Sequence, residues 1–136
     1  MNKELVDYID NEILPIYESF DMTHNRDEVT SIIIRSLELA KERNLDSNIM
    51  YAVASLCFIG IKDGYKNYQV SSGNFVKDDS TLNNIFCVEE IKQIKEAVED
   101  QDALVPVTIR NDYGRVLWDV IRVRKQERIK KFIKNN

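Results

Sequence analysis

The stretch IMYAVASLCFIG, inside a helix expected from Asn48 to Ile59, is apolar on nearly every face. It is far too short for the roughly twenty apolar residues of a membrane span, so protein must wrap it on most sides. Asp46 or Ser47 can cap its start, and Gly60 is expected to end it. The remaining segments must then be amphipathic and pack around it. Four glycines and two prolines leave little turn chemistry for a fold built on hairpins. The expectation is an all-α helical bundle around one buried central helix, residues 1–136 forming a single domain.

The other segments fit that plan. From Glu4 to Phe20, Leu5, Ile9, Ile13, Tyr17 and Phe20 recur at helical spacing, and Pro15 predicts a break or kink at Leu14–Pro15. Asn25 is placed to cap a second helix, with Glu28 three residues on completing a capping-box pattern, and the helix should stop near Asn44. Ile61 to Asn67 reads as a loop. Helices are expected at Tyr68–Asp78, Leu82–Phe86 and Val88–Asp100, followed by a loop around Pro106 and a last long helix from Asp112 into the tail.

Charge is unevenly spread. Residues 122–136 hold Arg122, Arg124, Lys125, Arg128, Lys130, Lys131 and Lys134 against Glu127 alone, a segment of +6 beside a remainder of −10. This basic C-terminal helix, RVRKQERIKKFIKNN, is expected to dock Ile129 and Phe132 on the body while its cations meet the acidic surface. A contact with a partner or second copy, or with an anionic polymer, is the alternative. Aromatic interleaving for base stacking is lacking, so sequence-specific nucleic-acid reading is unsupported. The start, MNKELVDYIDNEIL, lacks the uninterrupted apolar stretch of an export signal. Cys57 and Cys87 therefore read as reduced thiols of a cytoplasmic protein, Cys57 as a small core residue. No membrane partner is expected.

Five stretches carry a resemblance to a known family: FDMTHNRDEVTSIIIRSLELA, YAVASLCFIGIKDG, YQVSSG, EEIKQIKEAVEDQ and NDYGRVLWD. In this order, over roughly residues 5–125, they resemble the HD-domain superfamily of metal-dependent phosphohydrolases. The resemblance implies an all-α fold in which imidazole and carboxylate ligands hold divalent metal between helices. Bound water then becomes the nucleophile on a phosphate ester, often of a nucleotide. The ligand positions are substituted here. The first metal histidine, four residues after another His, corresponds to Glu28, with His24 in the earlier place. The His-Asp pair that names the family falls at Cys57–Phe58. A further loop histidine is matched by Tyr68, the histidine after the VED stretch by Gln101, and the closing aspartate by Ile121, with Asp119 two residues away. Phe58 and Ile121 cannot bind metal. A set rebuilt from Glu28, Cys57 and Asp119 would mix ligands poorly suited to one ion.

Other candidates have plainer explanations. His24 suits a structural role in its turn. Glu28 is most simply the capping partner of Asn25, and Glu89–Glu90 fall in a helix's first turn. Ser71–Ser72–Gly73 has no neighbouring base for a serine nucleophile. Trp118, spaced with Leu117 and Ile121, reads as core. The sequence thus points to a catalytically degenerate HD-like domain, not an enzyme and without metal or cofactor. It would act by binding a small anionic ligand or a protein partner, a second copy of the chain included. The alternatives are an active HD-type phosphohydrolase with a non-standard ligand set and a structural protein-interaction module.

Overall fold

The computed structural model describes residues 1–135, so of the expected basic helix only Asn136 lies outside the described residues. The fold is an all-α bundle, with no strand among the described residues. Its α-helices are α1 (Lys3–Tyr8), α2 (Arg26–Glu42), α3 (Ser47–Leu56), α4 (Tyr68–Asp78), α5 (Ser80–Ile85), α6 (Val88–Glu99) and α7 (Asp112–Asn135). No helix among them is long and apolar enough to cross a membrane.

The buried helix of the sequence is α3, and every residue from Ile49 to Leu56 is buried. Asp46 opens it, its Oδ1 accepting from the Ile49 N–H at 3.0 Å. Around it stand α2, α6 and α7, and α4 packs on α6. Gly60 does not end the helix by itself. It sits within a 3₁₀ turn, Ile59–Asp63, where a loop was expected. The glycine is required by close packing: a Cβ there would lie 2.1 Å from the Tyr68 carbonyl oxygen and 2.6 Å from the Ser72 nitrogen. Ser72 completes the junction, accepting from the Gly60 N–H at 2.9 Å and donating to the Cys57 carbonyl at 3.1 Å.

The first segment changes helical type instead of breaking. A π turn, Ile9–Ile13, follows α1, and a 3₁₀ stretch, Leu14–Ser19, begins beside Pro15. Leu5, Ile9, Ile13 and Tyr17 repeat every four residues and are all essentially unexposed. An ideal α-helix would rotate such a row by about 40° per step, and the wider π turn takes up part of that drift. The Tyr17 hydroxyl then anchors the segment to α3, donating to the Ser55 carbonyl at 2.6 Å.

At the far end of α2, Asn44 takes a left-handed φ of 58°. The Leu45 N–H then reaches back to the Ala40 carbonyl at 2.9 Å, the Schellman arrangement that stops a helix. Glu90 closes the capping box of α6 by accepting from the Cys87 N–H. Asp79 caps α5 at the Leu82 N–H and accepts from the Tyr8 hydroxyl at 2.7 Å, so this acid is used structurally.

Candidate functional site

Five separate elements end or pass at one point: the turn before α2, the end of α3, the start of α4, the end of α6 and the middle of α7. They enclose a cavity of about 280 Å³. Glu28, Phe58, Tyr68, Gln101 and Ile121, five of the positions matched above to metal ligands, line it together with His24. Cys57 is wholly buried beside Phe58 and contributes its backbone, the carbonyl accepting from Gln101 Nε2 at 2.6 Å. Burial pushes the Cys57 thiol far above its ordinary pKa, which keeps it neutral and a poor metal ligand.

Glu28 corrects the sequence reading. Its backbone N–H does donate to Asn25 Oδ1 at 3.0 Å, so Asn25 caps α2. Its carboxylate, though, leaves the cap and turns into the protein, only 6% exposed. There Arg124 meets it with two hydrogen bonds, Nε to Oε2 at 3.0 Å and Nη2 to Oε1 at 2.7 Å. Arg128 adds Nη1 at 3.1 Å from Oε2. Burial opposes ionisation of Glu28, but the two guanidinium groups outweigh it and hold the pKa below the ordinary value. The charge demanded at this carboxylate comes from α7.

His24 closes the mouth side. Its Nδ1 lies 3.0 Å from Asp21 Oδ1 and 2.9 Å from Thr23 Oγ1. Hydrogen bonds from Thr23 and from the Tyr65 hydroxyl hold Asp21 well below the usual carboxylate range, so it remains an anion that orients the ring. The His24 ring meets Phe58 edge-on at 4.7 Å and Tyr68 at 5.8 Å between centroids, a packing role as well as a polar one. Burial pushes the Tyr68 hydroxyl above its ordinary pKa, and it stays protonated. Gln101, 5% exposed, donates from Nε2 to the Cys57 and Val98 carbonyls, leaving Oε1 without a hydrogen bond.

Thr23, Asp102, Lys125 and Arg128 complete the polar wall, and sequence reasoning did not place them there. One signal was available: Arg124 and Arg128 stand four apart and share a helix face just after Ile121. Asp119 does not join the cavity. It pairs with Arg43 at 2.8 Å on another side of α7, so the set Glu28, Cys57 and Asp119 does not converge. Among the described residues no group of three or more His, Cys, Asp or Glu side chains is arranged to hold a metal.

Two further expectations are corrected. Ile129 and Phe132 are not buried against the body; they are 58% and 68% exposed, because α7 turns its Arg124–Arg128 face inward. Two tail cations, Arg124 and Arg128, do meet an acid of the body, though a buried one, Glu28; at Arg35–Glu127 the polarity is reversed, a body cation holding the tail's single acid. Trp118 is half-buried instead of core: its indole N–H donates to the Ala103 carbonyl at 2.8 Å, and Arg122 lies over its outer face, 4.8 Å from the centroid. Comparison with family models, curated proteins and solved structures found no match to this chain.

Proposed function

We propose that this chain is a catalytically degenerate HD-like domain of the cytoplasm that acts by binding a small anionic ligand in the cavity. The observation that carries this is Glu28. It stands in the place of the family's first metal ligand, and Arg124 and Arg128 already neutralise it. A carboxylate bound twice by one guanidinium has few lone pairs left for a metal. Phe58 and Ile121, on the same wall, have no donor atom at all. The gathering of five substituted positions and the retained His24 around one cavity supports the resemblance on which this rests. Lys125 and Arg128 in the wall favour an anion.

Elemental analysis of the purified protein should find no stoichiometric Fe, Mn, Ni or Zn. Hydrolysis of nucleotide monophosphates and simple phosphate esters should match buffer. About one metal per chain, with turnover lost in Glu28→Ala, would instead identify an active phosphohydrolase using a non-standard ligand set.

A second reading, a protein-interaction module, draws on Ile129 and Ile133, which stand exposed one turn apart near the end of α7. Sizing of the intact chain and of an Ile129→Asp, Ile133→Asp variant checks it. Identical masses, and a pull-down partner unaffected by the change, would remove that reading.

A further inference from the structure

Two buried polar atoms belonging to wall residues of the cavity have no hydrogen bond: Gln101 Oε1, an acceptor, and Arg128 Nη1, a donor. Arg128 Nη1 lies 3.1 Å from Glu28 Oε2 in an ion pair, without the alignment of a full hydrogen bond. Gln101 cannot relieve its own oxygen by flipping. Both its Nε2 contacts are carbonyl oxygens, 2.6 and 2.7 Å away, and only an N–H donor can satisfy them. Native proteins rarely leave such atoms unmatched, because each forfeits hydration without recovering a bond.

Charge around Glu28 is uneven: Arg124 and Arg128 both pair with this one carboxylate, while Asp102 in the wall and the Asp21 anion behind His24 are the other acids of the site. Lys125 forms no ion pair among the described residues. Ile32, Phe58, Tyr68 and Ile121 give the wall an apolar and aromatic part beside these polar groups. At about 280 Å³ the space lies just below the roughly 300–1,000 Å³ of ordinary small-molecule sites, which excludes bulky ligands.

We propose that the cavity takes a small organic anion carrying its own hydrogen-bond donor: its phosphate or carboxylate meets Arg128 and Lys125, and its O–H or N–H meets Gln101 Oε1. This deepens the binding reading above and rests on it. Both orphan atoms are sealed from solvent, so binding requires the side chains over them to shift, and Arg128, 35% exposed, is one with room to do so. Arg124 keeps Glu28 paired while Arg128 is turned toward the ligand.

Calorimetric titration of the full chain with glycerol 3-phosphate and propyl phosphate tests this. The two have the same charge and chain length and differ in their hydroxyl donors; glycerate and propanoate repeat the comparison for a carboxylate. In at least one pair the hydroxylated member should bind saturably and about tenfold or more tighter, the effect of matching one buried acceptor. Arg128→Met should abolish that binding and Lys134→Met should leave it unchanged. Equal affinity within each pair, still lost in Arg128→Met, would overturn the donor assignment and leave the anion site standing. No binding by any of the four compounds would overturn both the inference and the anion reading beneath it.

Discussion

Arg124 and Glu28 form a two-pronged pair, Nε to Oε2 and Nη2 to Oε1, that ties the entry of α2 to the last helix. Removing one partner of a buried pair strands the other charge, which typically costs about 3–5 kcal/mol. Here Arg128 remains beside Glu28, so Arg124→Met should destabilise by about 2 kcal/mol, less than that range. Glu28→Gln should cost less, because the arginines it releases can reach water. Urea unfolding of both single variants and the double variant gives the coupling, expected near 2 kcal/mol. A coupling near zero would show that the pair adds nothing to the fold.

The same pair sets an acid response. Glu28 has a folded pKa below its ordinary 4.5, so the unfolded chain takes up the proton first. Its contribution is therefore complete above the ordinary value and fades as pH falls through the depressed folded value. Between about pH 5 and pH 3 the parent should lose more stability than Glu28→Gln. Thermal melts across that window isolate Glu28, since the other carboxylates are common to both proteins. Parallel curves would mean that its pKa is not shifted.

Phe58 is 3% exposed and touches the His24 and Tyr68 rings. Phe58→Ala should cost about 3 kcal/mol, the low end for a buried aromatic, because one side of the ring already borders the cavity. The added space should also loosen ligand selectivity. Unfolding curves that overlay those of the parent would place the ring outside the packed interior.

Gly60 and Gly73 offer a matched comparison. A methyl group at Gly60 meets backbone of α4, while one at Gly73 meets the Glu99 side chain, its nearest atoms at 2.7 Å. Backbone cannot step aside without moving the helix; a carboxylate on a flexible stem can. Gly60→Ala should therefore destabilise by about 3 kcal/mol and Gly73→Ala by about 1 kcal/mol or less, as measured by denaturant midpoint. Equal losses at the two positions would contradict the close α3–α4 junction.

What could be read from sequence follows the range of each interaction. Asn25 and Asp46 act within three residues, so the starts of α2 and α3 were legible; α6 was placed by its apolar stripe, and its Cys87–Glu90 box emerged only in the structure. The burial of Ile49–Leu56 was legible because a helix apolar all round has no other place to go. The convergence of His24, Glu28, Phe58, Tyr68, Gln101 and Ile121 on one cavity came through the family resemblance, not through periodicity. The destination of the Glu28 carboxylate was hidden, because a local cap explained it well and its true partners lie far along the chain. Ile129 and Phe132 misled for a related reason: apolar residues at helical spacing say which face is apolar, not whether anything covers it.

The Glu28–Arg124 pair also has a consequence in time. Its members are 96 residues apart, and the later one belongs to the last helix of the described chain. At about 5–20 residues per second, a ribosome takes about 5–19 s to pass from one to the other. Throughout that interval the nascent chain carries a carboxylate with no cation to meet it, and burying it alone would be strongly unfavourable. The turn before α2 must therefore stay hydrated until α7 emerges. The cavity is assembled only once α7 has emerged, as a late event of folding.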